Sequence, residues 1–219
     1  MISKASFFGN PFIGLFSSVN DNYALVPLED DGRFAKLIEE TLSVEVVKTN
    51  IADTPLAGIY VAMSNKGVVL PNLIQDKELA LLKEAFEITY VSKPPFNAWG
   101  NNLVITSKGA IINPELREEA KEIEDVFSVE VLPMSVGGYK VVGSAVYATE
   151  KGFVATHRAS DEEMEAIEDI LKVKGNRATV NMGSPVVSIG LLANSQGLLI
   201  GEMSTGIEIA RVQEGLDLL

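Results

Sequence analysis

The sequence predicts a mixed α/β fold (α+β) in which five ββαβ repeats form a closed ring with the helices outside. A turn motif that ends in Lys-Gly or Gln-Gly recurs, with its glycine at 67, 109, 152 and 197. An earlier glycine recurs with a similar step, at 14, 58, 100, 143 and 190. Repeats of about 20–50 residues are typical of solenoids, propellers and closed arrays. We therefore interpret residues 1–219 as one domain with repeats at roughly 1–50, 51–93, 94–136, 137–180 and 181–219.

Each repeat opens with two short apolar strands that are joined by a tight turn. We expect glycine to close this turn because it adopts positive φ without a steric penalty. The predicted first strands are Ile59–Met63, Leu103–Thr106, Ser144–Ala148 and Val187–Leu192. The predicted second strands are Val68–Leu70, Ala110–Ile112, Phe153–Ala155 and Leu198–Ile200.

An amphipathic helix follows the second strand. Its apolar stripe in the first repeat consists of Phe34, Leu37, Ile38 and Leu42, at the spacing of one helix face. Residues that cap or begin helices mark the later starts. These are Asp76 before Lys77–Phe86, Pro114 at a first helical position, and capping boxes at Ser160 with Glu163 and at Thr205 with Glu208.

A third strand completes each unit, and the N-terminal strand is expected to close the ring. The predicted third strands are Val44–Lys48, Ile88–Val91, Val129–Leu132 and Ala178–Val180. The fifth repeat reaches Leu219 without one, whereas an unassigned strand, Ile2–Phe7, precedes the first repeat. Because closed arrays avoid exposed sheet edges, we expect Ile2–Phe7 to supply the missing strand.

Composition restricts the classes of function. The chain has 219 residues, 47% hydrophobic content and a net charge of −12. This charge disfavours binding along a nucleic-acid backbone, so we expect no DNA partner. If the protein binds a particle that contains nucleic acid, we expect it to contact a basic protein of that particle.

The sequence shows neither a membrane-spanning segment nor a signal peptide, so we expect a cytoplasmic monomer without a membrane partner. It contains no cysteine, which excludes thiol nucleophiles and zinc–thiolate sites.

No pattern of catalytic residues is present. The single histidine, His157, follows a second strand and is interpreted as a loop residue. No G-x-S-x-G, H-E-x-x-H or P-loop motif accompanies it. Carboxylates cluster over 118–125 and 161–169, but they lie on polar faces of predicted helices, so we interpret them as solvated surface. We therefore expect no catalytic residue, no metal and no cofactor.

Several loops are open to more than one interpretation. Ala98–Asn102 and Thr179–Pro185 are rich in Asn and Gly, which suits both tight turns and binding loops. Trp99, the single tryptophan, is either a core side chain or an interface anchor. Gly137-Gly138-Tyr139 and Lys93-Pro94-Pro95 are interpreted as turns between repeats.

A set of short segments, in order along the chain, resembles the archaeal form of translation initiation factor six, the ribosome anti-association factor. No single segment is specific, but their order and spacing cover essentially the whole chain. They are Ala5-Ser6-Phe7, Ile13-Gly14, Leu70-Pro71-Asn72, Asp76-Lys77-Glu78-Leu79, Ala98-Trp99-Gly100-Asn101, Val142-Gly143-Ser144 and Thr179 to Ser184. By resemblance the fold is a pentein, with five ββαβ units around an axis, in agreement with the repeats.

The resemblance implies a function and a partner. It implies that the protein binds the large (50S) ribosomal subunit and sterically prevents association with the small (30S) subunit, as a factor of translation initiation and of large-subunit biogenesis. The implied contact is a ribosomal protein on the joining face, near the sarcin–ricin loop. The implied binding residues are Gly100, Asn101, Ser144, Ala145, Asn181, Gly183, Ser184 and Val186. Eukaryotic members place a tyrosine where this chain has Ala145, so this position is expected to contribute less contact.

Two other functions remain open at this point. Other penteins are enzymes that attack guanidinium carbons with a cysteine, and the absence of cysteine excludes that chemistry here. A non-thiol hydrolase acting on a small molecule is the alternative function. A scaffold or sliding ring with an open channel is a third, although the negative charge argues against threading nucleic acid.

Overall fold

In the computed structural model, which describes residues 1–93, 95 and 97–219, the chain forms five three-stranded sheets that we call blades 1 to 5. In each blade an inner strand pairs antiparallel with a middle strand, which pairs parallel with an outer strand. From blade 1 to blade 5, the inner strands are Ser18–Val19, Ala62–Ser64, Leu103–Ile105, Val146–Ala148 and Leu191–Ala193. The middle strands are Tyr23–Val26, Gly67–Leu70, Gly109–Ile112, Gly152–Thr156 and Leu198–Gly201. The outer strands are Glu45–Lys48, Ile88–Val91, Glu130–Pro133, Lys174–Ala178 and Ile2–Ala5. The five ββαβ repeats of the predicted fold are therefore present.

The N-terminal strand completes the last blade, as the sequence predicted. Ile2–Ala5 pairs in parallel with Leu198–Gly201, with Ile2 opposite Leu198. The Met1 ammonium group donates a hydrogen bond to the carbonyl oxygen of Gln196 at 3.1 Å. The strand ends at Ala5, earlier than predicted, because Phe7 already begins a tight turn by bridging to Asn10.

A long helix follows the middle strand of every blade and lies between neighbouring blades; in blades 1 to 4 it connects the middle strand to the outer strand. These helices are Arg33–Leu42, Asp76–Ala85, Ala120–Phe127 with a preceding 3-10 segment Pro114–Glu119, Asp161–Leu171 and Gly206–Gly215. In the first helix, Phe34, Ile38 and Leu42 are buried in one core with Leu192 and Leu199 of blade 5. Each helix thus fills the wedge between its own blade and the one before it.

The helix starts differ in detail from the prediction. Ser160 and Thr205 begin their helices with complete capping boxes, as predicted. The cap of the second helix is Gln75 rather than Asp76, because Glu78 reaches back to the Gln75 amide. Pro114 begins a 3-10 segment that is kinked at Leu116, and regular α-helix starts only at Ala120.

A short helical turn precedes each inner strand, and the five turns surround the axis. They are Ile13–Leu15, Ala57–Tyr60, Trp99–Asn102, Val142–Ala145 and Ser188–Gly190. Each turn contacts the next, and the first contacts the fifth, so the ring is closed at this level. The predicted inner strands that began at Ile59, Ser144 and Val187 were therefore wrong at their starts, since helical turns occupy much of those residues.

Backbone contact between these turns explains the recurring glycine. A Cβ atom added to Gly58 would lie 1.8 Å from the carbonyl oxygen of Gly14, and one added to Gly100 would lie 2.0 Å from that of Gly58. A Cβ atom added to Gly143 would likewise lie 2.2 Å from the carbonyl oxygen of Gly100. Real Cβ contacts under 3.0 Å essentially never occur. The turns approach each other more closely than any side chain permits.

The glycines of the hairpins serve a different purpose from the predicted one. Of the four, only Gly67 has positive φ, so the expectation that all of them provide positive φ was wrong. At Gly109 and Gly152 an added Cβ would instead lie 2.0 Å from the Ile170 carbonyl oxygen and 2.3 Å from that of Gly215. Both oxygens belong to helices of the next blade. Glycine is therefore required here because a neighbouring helix end packs directly on the hairpin.

The outer strand of blade 4 lies earlier than predicted. We expected Ala178–Val180, whereas the strand is Lys174–Ala178. Its sequence, KGNRA, is polar because this strand is outermost in its sheet and its side chains are largely exposed or half-buried. The apolar residues after it, including the fully buried Val180, belong instead to a tight turn. Of the other predicted inter-repeat turns, that of Gly137 and Gly138 is present, and Pro94 lies outside the described residues.

The cavity that the described residues form around the axis at the helical turns is small. It measures about 80 Å³ and is lined by the inner strands and by the turn glycines, among them Gly14, Gly58 and Gly100. This volume holds a few water molecules. It is too small for a nucleic-acid strand, so the open-channel ring is not supported. No helix within the described ranges is long and apolar enough to cross a membrane.

A paired glycine substitution tests the axial packing. We expect Gly58→Ala to lower the free energy of unfolding by about 3 kcal/mol or more, because overpacking against backbone cannot be relieved by a rotamer change. Gly206→Ala is the matched control, since nothing lies within 4 Å of its added Cβ. The measurement is urea unfolding followed by circular dichroism. Equal stability of the two variants would contradict the packing argument.

Candidate functional site

The two ends of the axis differ in chemistry. We call the end formed by the five helical turns the glycine-turn end, and the end formed by the five hairpins between inner and middle strands the hairpin end. At the hairpin end, polar side chains bind one another across blades. Asp21 accepts hydrogen bonds from Asn65 Nδ2 at 2.7 Å and from Ser195 Oγ at 3.0 Å, and Glu150 accepts one from Ser107 Oγ at 2.9 Å. Much of the polar surface of this end is thus engaged internally.

Large apolar side chains are exposed at the glycine-turn end. They follow the carboxyl ends of middle and outer strands or lie at the start of a turn or helix. The set is Phe8, Leu28, Leu73, Val141, Met182, Met203 and Ile207. Met182 and Phe8 are 70% and 72% exposed, although large apolar groups usually avoid water. Met1, Ile2, Leu81 and Leu219 are exposed as well and lie outside this set. Most of the exposed large apolar residues are thus at the glycine-turn end, and such a concentration is typical of an interaction surface.

The residues implied by the family resemblance come together at this same end. Asn101 lies in the turn Trp99–Asn102, and Ser144 lies in the neighbouring turn Val142–Ala145. Ser144 Oγ donates a hydrogen bond to Asn101 Oδ1 at 3.0 Å. The next turn joins this cluster, because Ser188 Oγ donates to the carbonyl oxygen of Ser144 at 3.2 Å. Gly100 and Asn101 are half-buried, whereas Ser144 is 7% exposed and Ala145 is 1% exposed.

The remaining implied residues lie in and after the turn that follows the outer strand of blade 4. Gly183 is exposed, and Ser184 and Val186 are half-buried. Asn181 is buried, with its Nδ2 donating to the Pro11 carbonyl oxygen at 2.9 Å and its backbone amide donating to Ser204 Oγ at 2.9 Å. The side chain of Asn181 therefore holds the loop in place.

Glutamates near the helix starts also fix the loops of this end, and the sequence marked two of them, Glu163 and Glu208, only as members of capping boxes. Glu78 accepts hydrogen bonds from the amides of Ala52 and Asp53, at 2.8 and 3.0 Å. Glu208 accepts from the amides of Met182 and Gly183, at 3.3 and 2.8 Å. We call this arrangement the turn clamp: a helix glutamate of one blade binds the tight turn that follows the outer strand of the preceding blade. Glu163 repeats it by accepting from the Gly137 amide at 2.9 Å.

The Glu208 clamp is stabilised as a carboxylate. Burial raises the pKa of Glu208, but hydrogen bonds from the backbone of Thr205 and Gly183 and from the hydroxyls of Thr179 and Thr205 outweigh this effect. The pKa of Glu208 therefore lies below its ordinary value. The sequence signal for the clamp was the capping box, but the box alone does not show that its carboxylate also reaches another blade.

Two residues that the sequence analysis singled out, Trp99 and His157, have clear positions. Trp99 is 1% exposed, and its indole Nε1 donates to Ser92 Oγ at 2.8 Å, so it is a core side chain. His157 is exposed in the loop after the middle strand of blade 4. Within the described part of the chain it makes no hydrogen bond to a carboxylate or hydroxyl, and no group of three or more metal-ligating side chains occurs there.

Comparisons with known proteins show which family this sequence matches. The sequence model of the eIF-6 family matches residues 2–215. The chain is 39% identical to translation initiation factor 6 of Staphylothermus marinus over 220 residues, which covers 98% of this chain and 97% of the relative. It is 36% identical to that of Methanoculleus marisnigri over 94% of both chains, and 35% identical to that of Methanococcus vannielii over 100% of both.

Removing one clamp charge tests its structural role. We expect Glu208→Gln to lower the free energy of unfolding by about 2 kcal/mol at pH 7, because hydrogen bonds to a charged group are lost. Glu165→Gln is the control, since Glu165 is exposed on a helix. The lowered pKa gives stability that is present above the ordinary value of 4.5 and lost as the pH falls through the folded value. The difference between wild type and Glu208→Gln, measured by urea unfolding at several pH values, should therefore shrink below about pH 4.5; a constant difference would contradict the clamp.

Proposed function

The chain belongs to the eIF-6 family, and from this membership we propose that it binds the large (50S) ribosomal subunit and sterically prevents association with the small (30S) subunit. In this role it is a non-enzymatic factor of translation initiation and of large-subunit biogenesis, acting as a cytoplasmic monomer. The curated relatives are named translation initiation factor 6. The observation that carries the docking mode is the concentration of exposed apolar side chains at the glycine-turn end.

We propose the glycine-turn end as the docking face. Asn101, Gly183, Ser184 and Val186 offer partly or fully exposed atoms there, beside Met182. Gly100 and Ser144 shape the turns around Asn101, and the buried side chains of Ala145 and Asn181 act through the position of their loops. The face therefore presents small polar residues together with exposed apolar anchors, a combination that suits a protein surface.

The charge of the molecule favours a basic protein partner over bare RNA. With a net charge of −12, contact along an rRNA backbone would be repulsive. A basic ribosomal protein on the joining face of the large subunit, near the sarcin–ricin loop, is the partner proposed here. Opposite charge would accelerate the encounter, and apolar contacts would then slow dissociation.

The proposed mechanism is exclusion of volume. Closed contacts between neighbouring turns and a nearly filled axis make the ring resistant to deformation. Once it is bound at the joining face, a ring of this kind occupies space that the small subunit needs. Negative charge on the outer helices adds repulsion toward small-subunit rRNA, which salt screens beyond about 8–10 Å.

The docking face is tested by a bulky charged substitution. We expect Asn101→Arg to weaken co-sedimentation with purified large subunits at least about tenfold, which corresponds to about 1.4 kcal/mol, and to restore joined ribosomes in a sucrose gradient. Gln196→Arg is the matched control, because it makes the same charge change at an exposed residue of the hairpin end. An equal loss of large-subunit binding in both variants would mean that the docking face lies elsewhere on the molecule. Failure of the wild-type protein to co-migrate at low or moderate salt would overturn the function.

The electrostatic and the steric contributions to blocking subunit association can be measured separately. Glu39, Glu84, Glu165 and Asp169 are exposed on outer helices, and their combined change to Gln or Asn removes four negative charges. We expect this variant to bind large subunits normally and to block subunit joining less well than wild type at low salt, with the difference vanishing at high salt. Unchanged anti-association at low salt would leave volume exclusion as the sole mechanism.

A further inference from the structure

The outer strand forms the free edge of each blade, and the blades protect this edge to different degrees. An outer strand pairs on one side only, with the middle strand of its own blade. Every second backbone amide of the outer strand therefore points away from the sheet. Such an edge accepts strands of other molecules unless charges, proline or a covering group prevent it.

The outer strand of blade 3 is protected at both of its outward positions. Met134 donates a hydrogen bond inward, to the carbonyl oxygen of Ile112 at 3.1 Å. By alternation, the outward positions of this strand are Val131 and Pro133. The amide of Val131 donates to Glu124 Oε1 at 3.1 Å, and proline has no amide proton. Neither position offers a donor to a further strand.

The outer strand of blade 2, Ile88–Val91, offers donors at the same two positions. Ser92 donates inward to the carbonyl oxygen of Leu70 at 3.0 Å, so the outward amides belong to Thr89 and Val91. Within the described part of the chain these two amides have no acceptor. This edge therefore presents backbone donors where the edge of blade 3 has none.

The other protections of an edge are missing from blade 2 as well. Seven residues before Thr89, where blade 3 has Glu124, the chain has Leu82, which is fully buried. The strand reads ITYV and has no charge, whereas the outer strands of blades 1, 3, 4 and 5 each contain a lysine or a glutamate. All four residues of the strand are half-buried, so part of each reaches solvent.

Two buried polar atoms near this edge have no hydrogen-bond partner among the described residues. They are Tyr90 Oη and Glu119 Oε2. Tyr90 packs against the core that contains Ala120 and Ile123, so its ring lies beside the helix that Glu119 precedes. Burial raises the pKa of Tyr90 and of Glu119, and the nearby carboxylate of Glu122 raises both further. The edge thus adjoins two oxygens that lack a donor.

An arginine side chain from outside suits these two oxygens. Lys93 pairs with Glu122 at 3.0 Å, and within the described ranges Glu119 forms no ion pair. A buried carboxylate without a donor is unfavourable. A guanidinium group has five N–H donors, so it can donate to Glu119 and to the phenol oxygen of Tyr90 together. The net charge of −12 favours a basic segment over a second copy of this chain.

We propose that the outer edge of blade 2 binds a β-strand of a partner protein with an arginine at its centre. The amides of Thr89 and Val91 donate to backbone carbonyl oxygens of the added strand, as in other cases of strand addition. The arginine lies on the face of Tyr90 and donates to Glu119. Because side chains alternate between faces, its two neighbours lie on the face of Thr89 and Val91, where β-branched apolar residues fit. This inference rests on the contrast between two blades and does not depend on ribosome binding.

The test is an NMR titration of the isolated, ¹⁵N-labelled protein. The probe is acetyl-Thr-Val-Arg-Val-Thr-amide, whose sequence is the same in both directions, so that parallel and antiparallel pairing present the same side chains. Its counterpart contains citrulline, a neutral isostere of arginine. We expect saturable downfield shifts of the Thr89 and Val91 amide protons with the arginine peptide. We expect about tenfold weaker binding of the citrulline peptide, since charged hydrogen bonds are stronger than neutral ones.

A proline substitution tests the backbone contacts. Val91→Pro copies blade 3, because Val91 lies opposite Leu70 as Pro133 lies opposite Ile112. We expect it to weaken binding of the arginine peptide at least about tenfold, since one donor is lost and the proline ring blocks the edge. Val46→Pro makes the same change on the outer edge of blade 1 and should bind the peptide like wild type. The dispersion of the amide spectrum shows whether each variant is folded.

A second pair of variants tests the side-chain contact and leaves the backbone unchanged. Glu119→Gln should remove the preference for arginine over citrulline. Glu118→Gln removes the same charge from the exposed preceding residue and should retain the preference.

Several outcomes would overturn the proposal. They are absence of a shift at Thr89 and Val91 up to the solubility limit of the peptide, equal binding of both peptides, and full binding by folded Val91→Pro. A dimer of the free protein in sedimentation equilibrium that Val91→Pro dissociates would assign the edge to a second copy instead. None of these outcomes depends on whether the protein co-migrates with ribosomal subunits.

Discussion

Contact between backbones at the axis is the constraint on which this architecture depends. Gly58, Gly100 and Gly143 each bring their turn against a carbonyl oxygen of the preceding turn, at distances that exclude a Cβ atom. This contact sets how far apart neighbouring blades stand. The helices between the blades then fill the wedges that remain, and the inner strands are drawn close enough to leave only a small axial cavity. Such packing is dense and hard to deform.

Much of this arrangement was predictable because it repeats. The four middle strands that were predicted agree with the structure to within one residue at each end, since buried runs such as Val68–Leu70 and Leu198–Ile200 are apolar and end at turns. The inner strands were predicted less well, because Ser144 and Ala145 look like strand residues, whereas contacts across the axis turn them into a helical turn. The strand Lys174–Ala178 was missed since an outermost strand does not need an apolar pattern.

The candidate site was only partly accessible from sequence. Its residues were chosen by family resemblance, and the structure brings them to one end of the axis. What the sequence could not show is which of them reach solvent: the buried Asn181 and the exposed Gly183 are two residues apart. Nor could it show that a capping glutamate such as Glu208 binds a loop of another blade, because that contact depends on how blades are placed.

Closure of the ring by the N-terminal strand has a consequence for biosynthesis. The amino group of Met1 bonds to a residue 195 positions later, and Ile2–Ala5 finds its partner strand only in the last repeat. At about 5–20 residues per second, translation leaves this strand unpaired for about ten to forty seconds. During that time its exposed edge must be kept from pairing with other nascent chains. Pairing of this strand with the last repeat is therefore a late step of high contact order, which is expected to be slow.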